Sequence, residues 1–189
     1  MTGIDLIEIY ISAGRKLATE KGTSAQFETA DAFEYRCPKP CDAALNWWTS
    51  FGYSKDDEVN LRMLRRAFES IKPGGRFALD FMNVPGVLRY FKPQVVTYGK
   101  SETEGDILLV RESHIDVPSG MLHKTWHYHL ESGRHVTHET SVRMYDPPAL
   151  RRLFETAGFE NVHFFGDLDT SKMMNLESPR CIVAGQHPR

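Results

Sequence analysis

The sequence predicts an α/β fold with a doubly wound, mostly parallel sheet that carries an antiparallel hairpin insertion. Over the first 81 residues, short apolar segments typical of buried strands alternate with amphipathic segments typical of helices. Residues 95–145 instead contain long β-type segments joined by short turns, which is typical of antiparallel pairing. We found no internal repeat and no linker, so one domain spanning residues 1–189 is expected, with residues 95–145 inserted within it.

The first predicted unit is a strand, a helix and a second strand. Thr2–Asp5 resembles the end of a short buried strand, and a helical segment runs from about Glu8 to Lys21 before Gly22 stops it. Ala25–Ala30 alternates around an aromatic residue and leads directly to Asp31. Each strand of this unit therefore ends in a carboxylate.

A second strand–helix–strand unit follows. The small, apolar run Asp42–Asn46 suits a buried parallel strand, and residues 57–71 have apolar side chains at helical spacing. Lys72–Gly75 contains Pro and two Gly residues and should end the helix, after which Arg76–Phe81 is expected to form another strand. Such a unit requires a parallel crossover.

The insertion has three long β-type segments, Ile107–Asp116, Met121–Leu130 and His135–Tyr145. After it, Asp146 and Pro147 provide the N-cap and first turn of a helix that ends at Gly158. Two strands are expected near the C-terminus of the chain, at residues 161–166 and 180–184.

Six of the eight histidines fall in the insertion, and three of them, His123, His127 and His129, should share one face of a strand. Such a face could hold a metal ion or simply be a solvated polar surface, and the second reading is typical of antiparallel strands. Cys37 and Cys41 lack two further zinc ligands nearby. We therefore predict no metal site.

The composition disfavours several classes of partner. The formal net charge is -2, with no basic stripe for nucleic acid and no polybasic run for an anionic membrane. No apolar run approaches the length of a membrane span, and the first residues lack the pattern of a secretory signal. A cytoplasmic protein with reduced cysteines is expected.

Several segments resemble the small-molecule branch of the class I S-adenosylmethionine-dependent methyltransferases, which have a Rossmann-like fold. They are Asp42–Tyr53, including the run Ser50-Phe51-Gly52-Tyr53, the Lys-Pro-Gly-Gly turn, Ala157-Gly158-Phe159 and Ser178-Pro179-Arg180. Their order covers nearly the whole chain. The resemblance implies methyl transfer from S-adenosyl-L-methionine to a nitrogen or oxygen of a small molecule.

The resemblance also implies cofactor-binding residues. Asp5, with Leu6 beside it, matches the acidic position that binds the ribose, although Asp5 could instead cap the following helix. Asp31 and Ala32 match the position beside the adenine, with a turn-forming Asp as the alternative. Asn46 and Trp47 would flank the methionine part of the cofactor, unless the aromatic residue belongs to the core.

Methyl transfer is an in-line displacement that depends mainly on alignment, so few residues need distinctive chemistry. We expect Tyr53, His114 and Tyr128, with Asn83 as a further candidate, to orient or deprotonate the acceptor. By the same resemblance, the insertion is expected to cover the acceptor or to form a homodimer contact.

A first strand with a glycine-rich turn, which the resembling enzymes use to hold the methionine moiety, is expected to be missing here. Three explanations are open: the sequence is incomplete, another chain supplies the strand, or the protein is a degenerate relative. The alternatives to a methyltransferase are a non-catalytic methyltransferase-like oligomerisation partner that binds cofactor poorly and, more remotely, an NAD-dependent oxidoreductase.

Overall fold

The computed structural model describes all residues, 1–189. Its helices are α1 (Glu8–Glu20), α2 (Asp57–Glu69), α3 (Val84–Arg89) and α4 (Pro147–Ala157). Its strands are β1 (Thr2–Asp5), β2 (Gln26–Thr29), β3 (Cys41–Asn46), β4 (Ile71–Phe81), β5 (Gln94–Ser101), β6 (Gly105–Asp116), β7 (Met121–Leu130), β8 (His135–Arg143), β9 (Glu160–Phe165) and β10 (Cys181–Gln186). No helix combines the length and apolar character needed to cross a membrane.

The strands form three separate sheets. β1 and β2 pair in parallel, whereas the larger sheet has the order β3-β4-β10-β9, with β3 and β4 parallel and β10 antiparallel to both of its neighbours. The insertion is a four-stranded antiparallel meander, β5-β6-β7-β8. The predicted α/β class with an antiparallel insertion is confirmed, but the main sheet is divided because β1 does not pair with β3.

The apolar core lies between the larger sheet and the two amphipathic helices α2 and α4. Phe77, Leu79 and Phe81 from β4 pack there with Leu64 and Phe154 from the helices. Each fully buried aromatic or aliphatic side chain of this size contributes roughly 1.5 to 3 kcal/mol through the removal of apolar surface from water. The core therefore fixes the position of β4, whose carboxyl end carries part of the site described below.

A buried polar network joins the insertion to this core. The Nδ2 of Asn60, a fully buried residue, donates to the hydroxyl of Tyr145 at 2.8 Å, and that hydroxyl donates to Asp57 at 2.7 Å. Arg143 in β8 also pairs with Asp57, at 3.1 Å. Burial and the hydrogen bond to Asp57 raise the pKa of Tyr145 well above its ordinary value, so this phenol stays protonated and keeps donating.

The register of the insertion confirms the predicted alternation of its third strand. His123 lies between His114 and Ser141, while Trp126 lies between Arg111 and His138. His123, His127 and His129 therefore share one face, and Trp126 and Tyr128 share the opposite one.

Some boundaries and elements differ from the sequence prediction. Helix α2 ends at Glu69, and Ile71 instead begins β4, where it pairs with Cys41. The sequence prediction does not include the short helix α3 or the edge strand β5 as separate elements. A six-residue helix shows too few turns for periodicity, and β5 is defined by its pairing with β6 rather than by a strong apolar pattern.

Candidate active site

Two carboxylates lie at the carboxyl ends of the parallel strands β1 and β2. Asp5 accepts a hydrogen bond from the amide of Ile7 at 2.8 Å through Oδ1, and Asp31 accepts from the amide of Phe33 at 2.8 Å, also through Oδ1. The N-cap of α1 is Ile7, so Asp5 shapes the turn before the helix rather than capping it. In both residues Oδ2 has no partner within the chain, and it can accept a hydrogen bond from a ligand.

The neighbouring predicted residues differ in exposure. Leu6 is 61% exposed, whereas Ala32 is partly buried against the core. Leu6 therefore adds exposed apolar surface next to Asp5 in the sequence, whereas Ala32 lies in the turn that Asp31 holds.

Asn46 is the last residue of β3 and Trp47 follows it, and the backbone just beyond them is unusual. The Asn46 Nδ2 donates to the carbonyl of Ser50 at 3.1 Å, while its Oδ1 is buried and has no donor. Trp48 and Thr49 both have left-handed backbone conformations, with φ of 58° and 57°. A left-handed conformation in a β-branched residue such as Thr49 is unfavourable, and such strain is often concentrated at functional sites.

A buried ion pair holds this strained turn. Asp80, near the end of β4, is 1% exposed and receives both the Nε of Arg180, at 2.6 Å, and its Nη2. The same carboxylate accepts from the amide of Trp48 at 3.0 Å, and the Arg180 guanidinium lies over the Trp48 ring at 5.5 Å. Asp80 lies in the predicted strand Arg76–Phe81 and Arg180 in the run Ser178-Pro179-Arg180, but no local pattern predicts that the two side chains meet.

A second polar clamp fixes the wall beside the turn. Asn83 is 4% exposed, and its Nδ2 donates to the carbonyls of Asn175, Leu176 and Ser178 at 3.0, 3.3 and 2.8 Å. Gly86 is required there because a Cβ would lie 2.9 Å from the carbonyl of Leu176. Asn83, proposed from sequence as an acceptor-orienting residue, thus holds the 175–178 segment in place.

These clamps border an open cavity of about 380 Å³ at the carboxyl end of β4. Thr49 and Arg180 form one wall, and Tyr90 with Glu177 forms the other. The Tyr90 hydroxyl donates to Glu177 at 2.6 Å, and this carboxylate raises the pKa of Tyr90. Because that shift favours the neutral phenol, Tyr90 is suited to donate a hydrogen bond but not to act as a base.

β1 and β3 each present an edge without a partner strand, and apolar side chains are exposed on the elements around those edges. Leu45 in β3 is 71% exposed. Five side chains of the β1–α1 region are between 50% and 71% exposed: Leu6, Ile7, Ile9, Tyr10 and Leu17. Unpaired edges and clustered apolar surface are typical of a place where another segment docks.

The three predicted catalytic residues occupy different places. Tyr53 directly follows Gly52, whose carbonyl accepts from the amide of Arg143 at 2.7 Å, and it is 54% exposed. His114 and Tyr128 lie on opposite faces of the insertion, because Tyr128 shares its face with Trp126 while His114 pairs with His123. The sheet therefore separates His114 from Tyr128.

The structure contains no group of three or more His, Cys, Asp or Glu side chains arranged to hold a metal ion. Cys37, Cys41 and Cys181 are all free thiols.

Solved structures with the same fold are found among methyltransferases. The CcbJ methyltransferase from Streptomyces caelestis is 16% identical with a TM-score of 0.83, and the match covers 100% of this chain and 74% of that one. The sugar N-methyltransferase KedS8 from Streptoalloteichus sp ATCC 53650 is 18% identical with a TM-score of 0.75, covering 100% and 71%. CalS10, an amino pentose methyltransferase from Micromonospora echinaspora with SAM bound, is 14% identical with a TM-score of 0.69, covering 98% and 73%.

At such low identity these similarities establish the fold, which is that of the S-adenosylmethionine-dependent methyltransferases. Neither a family model nor a curated protein matches the sequence.

Proposed function

We propose that this chain forms the cofactor and acceptor sites of an S-adenosyl-L-methionine-dependent methyltransferase that acts on a nitrogen or oxygen of a small molecule. The supporting observation is that Asp5, Asp31 and Asn46 lie at the carboxyl ends of β1, β2 and β3, each of which pairs in parallel with another strand, and open α/β sheets bind their ligands at such ends. The shared fold supports the same assignment.

The free polar atoms at this edge fit the proposed cofactor in part. The unpaired Oδ2 of Asp5 suits the two hydroxyls of a ribose, and that of Asp31 suits an exocyclic amine. The buried Oδ1 of Asn46 lacks a donor, which the ammonium group of a methionine moiety can provide. The link between β1 and α1 contains no glycine, so no backbone-amide site for the methionine carboxylate is assigned there.

The sulfonium cofactor supplies an activated methyl group, and the side chains of this chain position the acceptor. Tyr53 and Tyr128 are proposed to orient the attacking nitrogen or oxygen. His114 lies on the face of the insertion opposite Tyr128, so it can orient only an acceptor that binds on that face. Arg180 and Asp80 keep the Trp48–Thr49 turn in its strained conformation. Alignment of this kind is the main contribution that an enzyme makes to an in-line displacement.

The experiment is a calorimetric titration of the folded chain with S-adenosyl-L-methionine. Micromolar binding that Asp5→Ala weakens by about tenfold or more is expected, because one charge-assisted hydrogen bond contributes roughly 1.5 to 3 kcal/mol. Asp42→Ala is the matched control, since Asp42 is an exposed carboxylate at the opposite end of β3. Equal affinity in wild type and Asp5→Ala would exclude the assigned ribose contact.

A second candidate function rests on the unpaired edges of β1 and β3. In it, the chain is a non-catalytic, methyltransferase-like partner that associates with another polypeptide through these edges. Absence of cofactor binding to a well-folded chain would favour this function. Homodimerisation through the insertion also stays a prediction, and sedimentation tests it.

A further inference from the structure

The face of the insertion that carries Trp126 and Tyr128, named here the cationic face, has basic residues but no acidic one. Trp126 lies between Arg111 and His138, and the adjacent row places Lys124 between Ser113 and Thr140. The acidic residues of the four strands all fall at positions of the opposite face: Asp106, Glu112, Asp116 and Glu139. All acidic residues of the four strands therefore lie on the face opposite Arg111 and Lys124, together with Lys100 and Arg143.

Neither Arg111 nor Lys124 makes a side-chain hydrogen bond or an ion pair. The Nε of Arg111 is buried without any acceptor. Burial, followed by the charge of Arg111, lowers the pKa of Lys124. A partly buried cation pair without counter-charge is unfavourable, and an anion bound between the two would relieve both the repulsion and the unsatisfied Nε–H.

The cationic face continues into the candidate active site. Leu122 and Val142 lie on the same face one row beyond Lys124 and are 4% and 2% exposed. A Cβ on Gly52 would lie 3.3 Å from a methyl group of Val142. Gly52 lies three residues after Thr49 of the strained turn, so a ligand held at Lys124 can extend toward that turn.

We propose that Arg111 and Lys124 bind an oxyanion group, a phosphate or a carboxylate, carried by the small-molecule acceptor. The guanidinium edge suits two oxygens at once, and the lysine ammonium adds a point charge. Trp126 and Tyr128, with ring centroids 6.3 Å apart and ring planes at 50° to each other, offer an aromatic surface for the uncharged part of the same molecule. Identification of the ligand as the acceptor rests on the proposed function, whereas the anion site itself does not.

A second copy of this chain is a poor occupant of the cationic face. A two-fold arrangement of cationic face against cationic face would bring Arg111 and Lys124 of both copies together with no carboxylate between them. Like charges brought into an interface in this way oppose association. Charge complementarity therefore favours a small anionic ligand.

The test uses inorganic pyrophosphate and malonate as probes, titrated into the full chain without cofactor and followed by NMR or calorimetry. Binding of at least one probe is expected, and Lys124→Met and Arg111→Met should each weaken it by about tenfold or more, as loss of a charge-assisted contact does. Lys100→Met is the matched control, because Lys100 is an exposed lysine of the same sheet beside Asp106. Unchanged thermal unfolding would show that each variant folds.

The relative affinity of the two probes identifies the group, with phosphate indicated by tighter pyrophosphate binding and carboxylate by tighter malonate binding. The proposal is overturned if neither probe binds, if the Met variants bind as wild type does, or if Lys124→Met dissociates a dimer. Because cofactor is absent from the titration, failure of S-adenosyl-L-methionine binding does not alter its result. The two proposals therefore fail independently.

Discussion

At the scale of single residues, Asp80 is the one charged residue that is buried. Asp80 is almost completely enclosed and touches both Arg180 and the backbone of Trp48. A buried carboxylate of this kind requires its partner, because an uncompensated charge in a low-dielectric interior is strongly destabilising. The pair therefore couples the stability of the fold to the geometry of the turn beside the candidate site.

Replacement of Arg180 by Met should lower the free energy of unfolding by about 3 kcal/mol. This value is at the lower end of the range for a broken buried ion pair, because the Arg180 side chain is 31% exposed. Urea denaturation measures this change. The control Arg89→Met breaks an exposed pair with Glu177 and should cost less than about 1 kcal/mol. Adding Asp80→Asn to Arg180→Met should recover part of the loss, and a double variant no better than the single one would contradict this account.

Because of Cys181, the free energy of unfolding should decrease at alkaline pH. Burial and the neighbouring Asp80 carboxylate raise the pKa of this thiol to about 12, while an unfolded cysteine titrates near 8.5. As pH rises above about 8.5 the unfolded state releases this proton before the folded state does, so the stability contributed by the neutral thiol is lost between about 8.5 and 12.

Between pH 8 and 10 this effect should remove about 2 kcal/mol from the free energy of unfolding. Urea denaturation at several pH values measures it. The free energy of unfolding of Cys181→Ala should fall less steeply with pH. The control is Cys37→Ala, because the Cys37 thiol contacts the Lys39 carbonyl outside the core, and its free energy of unfolding should fall as that of wild type does. Parallel curves for wild type and Cys181→Ala would rule out this origin.

At the scale of elements, β1, α1 and β2 form a unit with little support from the remainder of the chain. The two strands are four residues long and pair only with each other. Only Ile11 and Ala18 of α1 are buried. Short strands and few buried apolar side chains are typical of a region that opens locally without global unfolding.

Hydrogen exchange should therefore be faster at the hydrogen-bonded amides of β2 than at those of β10, which is paired on both sides. A difference on the order of 100-fold is expected for local opening about 3 kcal/mol easier than global unfolding. Amides of β9, an edge strand of the larger sheet, provide the control for edge position alone. Equal protection in β2 and β10 would mean that the first unit unfolds only with the core.

At the scale of the whole molecule, the divided main sheet leaves two unpaired edges and a set of exposed apolar side chains. Such edges can template pairing with other chains. The insertion provides a different exposed surface, with Tyr98 84% exposed on β5. Association through the sheet edges and association through the insertion can therefore be separated by mutation.

The isolated chain should self-associate in a concentration-dependent manner, and Leu45→Lys should shift it toward monomer in sedimentation velocity experiments. A charge on an edge strand opposes edge-to-edge pairing. Tyr98→Lys is the matched control and should have no effect if the sheet edges mediate association. The opposite pattern would support the predicted homodimer through the insertion, and a monomer at all concentrations would exclude both contacts.

Local patterns predicted most elements of this protein, because they depend on neighbouring residues. The Asp146 side chain caps α4, accepting from the amide of Ala149, and Gly158 ends that helix with a φ of 110°. The alternation of β7 likewise follows directly from its sequence and places three histidines opposite Trp126 and Tyr128. The two acids at the ends of β1 and β2 are predictable because Asp5 is the last residue of its strand and Asp31 lies two residues beyond its own.

By itself, the sequence determined the order of the elements, the alternation of the insertion and the carboxylates that follow the first strands. Only the tertiary structure decided that Asp80 meets Arg180, 100 residues later in the chain, and that Asn83 clamps the 175–178 segment. It also decided that the cationic face contains no acid, since this depends on the register of four strands. Periodicity and capping are local properties, whereas these contacts arise from pairing and packing between distant segments.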